Sequence, residues 1–170
     1  MLRIAIGAVF GCLLLPLKAQ EVVDWSADRP LTWADFQGEA EPWGEHEAYT
    51  AYEITSGYST GPDGKLSFHI TCRFLKQGSW VSERGRSSET LLAHERLHFD
   101  IAEVNARKLR KRLREVPDRE LTKERFLDAV RAVHQHMQEE QERYDRETDH
   151  GLNAEQQARW RAQVSEALSR

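Results

Sequence analysis

Apolar positions along the chain follow two rhythms. Between residues 66 and 74, Leu66, Phe68, Ile70, Cys72 and Phe74 alternate with Ser67, His69, Thr71 and Arg73. A period of two puts the first set on a buried strand face and the second, including a solvated His69, on the other. The stretch from Tyr49 to Tyr58 is also rich in β-branched and aromatic residues, and Gly61-Pro62-Asp63-Gly64 signals a turn. The spacing predicts an antiparallel hairpin over residues 49–58 and 65–75, with a short strand at 79–82. From Ser87 to Val116 the rhythm changes. Leu91, Leu92, Leu97, Ile101, Val104, Leu109 and Leu113 form one side, no Pro or Gly intervenes, and Ser87, Ser88 and Glu89 offer an N-terminal cap. A long helix follows from this. Beyond Pro117-Asp118 a second helix begins near Thr122, with Phe126, Leu127, Val130, Val133, Met137, Gln141 and Tyr144 along one stripe, completing a helical hairpin. Asn153 with Gln156 resembles a capping box, and Trp160, Val164 and Leu168 mark a short closing helix.

The N-terminal region has neither rhythm. Arg3, the apolar run Ile4 to Leu17 and Lys18-Ala19-Gln20 have the layout of a secretory signal peptide cleaved near Ala19, and the run is too short to span a bilayer comfortably. A lipoprotein reading through Cys12 fits less well, because Phe10 is bulky and the apolar run continues past Cys12. Residues 22–47 carry Trp25, Trp33, Phe36 and Trp43, too many aromatics for a disordered linker. They read as a segment wrapped on the core, with a helical turn starting at Thr32 and His46 on the surface. The expected protein is thus a signal segment, residues 1–19, and one α+β domain, residues 20–170: a small antiparallel sheet, a long helix, an antiparallel return helix and a short C-terminal helix.

Charge and cysteine content narrow the chemistry. The formal charge is −4, and removal of Arg3 and Lys18 with the leader makes it −6, so no nucleic-acid partner is expected. The basic run 107–114 reads as a solvated helix face. Of the two cysteines, Cys12 leaves with the leader and Cys72 sits on the buried strand face, which excludes an intrachain disulfide and argues against a thiol nucleophile.

His94-Glu95-Arg96-Leu97-His98 lies within the first long helix. Residues four apart on a helix are about 40° apart around the axis and about 6 Å apart along it, so both imidazoles can grip one ion. Glu95 then stands at the edge of that face, placed to take a proton from water. A catalytic zinc takes three protein ligands, and Glu103 falls on the wrong side of the helix. The return helix must supply the third, with residues near 140 level with His98 and near 144 level with His94. His150 is the expected ligand, the one imidazole of the 140–150 window, with Gly151 after it to let the chain reverse. His136, Glu140, Asp145 and Glu147 could serve in its place. Tyr144 falls level with the ion and is expected to steady an oxyanion.

The stretch Leu92-Ala93-His94-Glu95-Arg96-Leu97-His98-Phe99-Asp100-Ile101-Ala102-Glu103 and the later Tyr144-Asp145-Arg146-Glu147-Thr148-Asp149-His150-Gly151-Leu152-Asn153 resemble bacterial exported proteins described as predicted zinc-dependent proteases, domain-of-unknown-function family 922. Trp25-Ser26-x-x-Arg29-Pro30-Leu31-Thr32-Trp33-x-Asp35-Phe36 is similar as well. The resemblance implies a zincin-like fold, bound Zn2+ and a metallopeptidase activity, and marks the Thr148-x-His150-Gly151 segment as functional. The expectation is an exported, periplasmic or secreted, zinc peptidase acting on protein or peptide, with Glu95 as base and no stable membrane insertion after leader cleavage. A zinc amide hydrolase of cell-wall peptides and an exported binding module with structural zinc are the competing readings.

Overall fold

The alternating stretch forms the spine of the sheet. In the computed structural model, which describes residues 20–40 and 46–170, strand β3 (Tyr52–Thr60) pairs antiparallel with β4 (Leu66–Leu75), Tyr52 opposite Phe74 and Thr60 opposite Leu66. Strand β1 (Val22–Asp24) adds antiparallel to the other edge of β4, giving the order β1-β4-β3. Ile70, Cys72 and Phe74 are buried, as the period of two requires. His69 lies across the strand pair, where its ring covers Gly57 and leaves no room there for a Cβ.

Tyr49 departs from the expected hairpin. Ala48–Tyr49 form a separate strand, β2, paired antiparallel with β5 (Trp80–Val81). The chain between β2 and β3 is drawn aside by side chains: Thr50 bonds Glu95, and Ala51 N–H donates to Ser79 Oγ at 2.9 Å. Buried Ser79 in turn donates to Leu75 O at 2.8 Å, fastening the β2–β5 ribbon to the main sheet.

Helix α1 (Glu89–Arg114) begins where the capping residues place it, Ser88 Oγ accepting Leu91 N–H at 3.1 Å, a cap worth about 1 kcal/mol. Helix α2 (Lys123–Thr148) is capped by Thr122 and α3 (Ala154–Ser169) by Asn153. Contacts from Asp145 to His94, Gln141 to His98 and Glu140 to Asn105 run in opposite directions along α1 and α2, so the two are antiparallel. One face of α1 packs Leu92, Phe99, Ala102, Ala106 and Leu109 on the sheet. Another packs Leu97, Ile101 and Val104 with Tyr144 of α2 and Trp160 and Val164 of α3.

The N-terminal segment wraps as its aromatics suggest. Leu31 and Phe36 are buried, Phe36 meets Phe74 edge to face at 5.0 Å, and Trp25 Nε1–H donates to Asp100 Oδ1 at 2.8 Å. A 3-10 turn over Trp33–Asp35 starts at Thr32 in a capping box with Asp35. Part of the basic run is internal rather than solvated. Arg107 and Arg110 grip buried Glu103, Arg110 also donates to Ile70 O at 3.0 Å, and Arg107 lies over the Trp25 ring. The leader assigned to residues 1–19, and Trp43, lie outside the described residues. No helix of the described residues is long and apolar enough to cross a membrane.

Candidate metal centre

Helix periodicity brings His94 and His98 together on α1, with Nε2 atoms 3.2 Å apart. The third group is Asp145 of α2, whose Oδ1 lies 3.2 Å from His94 Nε2 and 3.0 Å from His98 Nε2. Among the described residues these three side chains form the one cluster able to hold a metal ion. The expected level was correct, since Gln141 faces His98 and Asp145 reaches both imidazoles. The expected ligand was not. His150 stands outside the triangle, its ring 58% exposed and Nδ1 3.9 Å from Asp145 Oδ1. The physical reason lies in the length of α2, which stays helical through Thr148, so that Asp145 is presented first and His150 follows the end of the helix. Glu140, Glu147 and His136 do not complete the triangle either: Glu140 accepts from Asn105, Glu147 accepts from Trp160 Nε1–H, and His136 is exposed.

Both imidazoles are oriented from behind. His98 Nδ1 lies 2.6 Å from Gln141 Oε1, while Gln141 Nε2–H donates to His98 O at 2.9 Å. That donation fixes the amide, so Oε1 accepts the Nδ1 proton. His94 Nδ1 lies 3.3 Å from Gln157 Oε1, whose Nε2–H donates to the Tyr144 hydroxyl at 2.7 Å. With both Nδ1 protons directed outward, two bare Nε2 lone pairs and a carboxylate oxygen converge within 3.2 Å. Asp145 Oδ1 is buried and accepts no hydrogen bond of good geometry. Such a convergence is repulsive unless a proton or a metal ion sits in it, and with the Nδ1 protons engaged from behind the arrangement suits a metal. The spacing fits as well: the centre of a triangle with these edges is about 1.8 Å from each corner, within reach of the roughly 2.0–2.1 Å that zinc keeps from such donors.

Without an ion the site couples these groups electrostatically. Burial raises the Asp145 pKa, but the adjoining His94 and His98 imidazoles outweigh it and hold the carboxyl well below the usual range. Burial lowers that of His98, yet Asp145, Glu95 and Gln141 together raise it.

Glu95 is buried, and its Oε2 accepts the Thr50 hydroxyl at 2.7 Å. Thr50 thus holds the carboxylate at the floor of a cleft of about 1070 Å³ bounded by β2, the start of α1 and residues 149–152. Tyr144 does not have the role expected of it. It is 0% exposed, stacked on His94 at 4.7 Å, with its hydroxyl bonded to His94 O and Gln157. A hydroxyl so committed cannot reach a substrate, so Tyr144 positions His94 instead. The phenols that do line the cleft are Tyr49 and Tyr52; burial pushes the Tyr52 pKa far up, with Tyr49, Cys72 and Asp145 adding and Gln141 opposing. Thr50, Tyr52 and Gln157 carry no local signal in the sequence. Gln141 carries a weak one, an amide inside an apolar stripe.

A family model described as "Bacterial protein of unknown function (DUF922)" matches residues 31–151. No curated protein and no solved structure matches the chain.

Proposed function

The chain belongs to the DUF922 family of bacterial proteins, and from that premise we propose that it is an exported zinc-dependent peptidase of zincin-like architecture. The observation that carries this reading is the convergence of His94 Nε2, His98 Nε2 and Asp145 Oδ1 at the floor of a cleft that Glu95 also faces. Structural zinc sites close with four protein ligands, whereas three leave a position open for chemistry. Two imidazoles and one carboxylate also suit iron, but a fixed, non-ligating carboxylate beside the site favours hydrolysis.

His94, His98 and Asp145 would hold the zinc, which would supply polarisation of a carbonyl oxygen and a water acidic enough to be activated near neutral pH. Glu95 accepts the proton of the attacking water and returns it to the leaving nitrogen, its carboxylate aimed by Thr50. Gln141 and Gln157 keep the two imidazoles in the ligand tautomer. Strand β2 runs along the cleft, and its backbone offers an extended peptide a partner for strand addition. The layout of residues 1–19 supports export.

Metal analysis of the mature protein, with peptide hydrolysis measured with and without chelator, tests the reading. About one zinc per chain is expected, lost in the double variant His94→Ala/His98→Ala, and Glu95→Gln should keep the zinc while losing hydrolysis by several orders of magnitude. Iron in place of zinc, or full activity in Glu95→Gln, overturns it.

A further inference from the structure

The turn after α2 is built in an unusual backbone conformation. Asp149 (φ 50), His150 (φ 51) and Gly151 (φ 87) are consecutive left-handed residues. For the two that are not glycine this costs about 1–2 kcal/mol each, although Asp and His enter the region more readily than most. Strain of this kind persists where surrounding structure holds it, and the holding contacts are visible. His150 N–H donates to Asp145 O at 3.0 Å, Gly151 N–H to Thr148 Oγ1 at 3.3 Å, and Asn153 N–H to Thr148 O at 2.7 Å. Gly151 is seated directly on the first imidazole, since a Cβ there would come within 3.0 Å of His94 Cβ and Cγ. The turn is therefore registered against the metal centre.

What this registration presents is the His150 ring. It lines the same cleft as His94, His98, Glu95 and Asp145. Its Nδ1 is 3.9 Å from Asp145 Oδ1, too far for a hydrogen bond, and its other neighbour is the His46 ring at 5.5 Å. Among the described residues the imidazole has no hydrogen-bond partner, so its N–H is free to meet something in the cleft. Tyr144 cannot supply a donor to the carbonyl oxygen, because its hydroxyl is spent on His94 O and Gln157.

We propose that His150 is a catalytic residue that donates an N–H hydrogen bond to the carbonyl oxygen of the scissile bond as negative charge builds on it, and is not a ligand of the ion. This rests on the peptidase reading above. No proton changes hands: the neutral ring suffices, and the bond strengthens as the carbonyl oxygen becomes an oxyanion.

Two zinc-directed probes test it by calorimetry on the zinc-loaded protein. One is a phosphinic tripeptide with phenylalanine and leucine flanking the phosphorus, whose tetrahedral anion mimics the oxyanion. The other is a mercaptoacyl dipeptide that binds through its thiolate and presents no such oxygen. His150→Ala should keep one zinc per chain and the thiol affinity, while its affinity for the phosphinic probe falls about 10- to 100-fold, the worth of a hydrogen bond to a charged group. His150→Gln, which restores an N–H donor, should recover most of that loss. Loss of zinc in His150→Ala overturns the proposal in favour of a ligand role, and so does an equal change, or none, for both probes. A zinc-loaded wild type that binds neither probe refutes the peptidase reading itself, before any variant is compared.

Discussion

Replacing Gln141 by Leu removes two hydrogen bonds from His98 while roughly conserving volume. Gln141 is buried, its Oε1 accepting from His98 Nδ1 at 2.6 Å and its Nε2–H donating to His98 O at 2.9 Å. Without the amide, His98 Nδ1–H faces apolar surroundings, at a cost of about 1–3 kcal/mol. A metal-free protein can escape by moving the proton to Nε2, toward Asp145. Zinc cannot allow that tautomer, so the penalty falls mainly on the loaded state. Zinc affinity should therefore drop about 10- to 100-fold, or about 1.4–2.7 kcal/mol. The melting temperature of the chelated protein should move less than that of the zinc-loaded one, each kcal/mol being worth about 2–4 °C at this size. Competition with a chromophoric chelator measures the first quantity and calorimetry the second. Gln141→Glu is the control: it keeps an acceptor for Nδ1–H and should bind zinc at least as well as the wild type. Unchanged zinc affinity in Gln141→Leu, or equal losses in the Leu and Glu variants, would refute the reasoning.

Gly151→Ala adds a Cβ 3.0 Å from His94 Cβ and Cγ at φ 87; strain plus overpacking should cost about 2–4 kcal/mol and weaken zinc binding, read as a lower melting temperature and incomplete metal loading. Chelated protein should show a pH dependence of its own. Asp145, with a depressed pKa, stabilises the fold above its unfolded value and loses this as pH falls, while His98, with a raised one, stabilises the fold below its unfolded value and loses this as pH rises. The site's contribution to the chelated protein should thus be greatest between about pH 4 and pH 6.5. The melting-temperature gain on adding zinc should grow from about pH 5.5 to about pH 7.5, because the ion needs both imidazoles unprotonated. A gain that shrinks over that range would contradict the assigned ligands.

What the sequence made legible was local. Ser88, Thr122 and Asn153 marked helix starts because a cap is a contact across three residues. The hairpin and its buried face followed from alternation, and the spacing of His94 and His98 from one helical turn. The level of the third group in the candidate site was also readable, because antiparallel helices pair residues by simple counting. Its identity was not. Tyr144 and Asp145 are about 100° apart around α2, and which of them meets the imidazoles depends on how α2 is rotated against α1. That rotation is set by Phe126, Val133 and Tyr144 packing at once, a tertiary quantity with no sequence signature. The left-handed turn that carries His150 out of the ligand triangle was equally invisible, since Gly151 announces a reversal but not its hand.

The fate of Tyr144 shows why α3 belongs to the site. A phenol level with the ion is an obvious oxyanion donor as long as only α1 and α2 are considered. Helix α3 changes its surroundings: Trp160 meets the ring edge to face at 5.3 Å, and Gln157 bonds both its hydroxyl and His94 Nδ1. The residues matched by the family model end at 151, yet the group that sets the His94 tautomer, Gln157, lies beyond them. Trp160 Nε1–H also donates to Glu147 at 2.8 Å, tying α3 to the last turn of α2, immediately before the turn that presents His150. The candidate metal ligands are thus supplied by α1 and α2, but the orientation of His94 depends on α3 folding back over both.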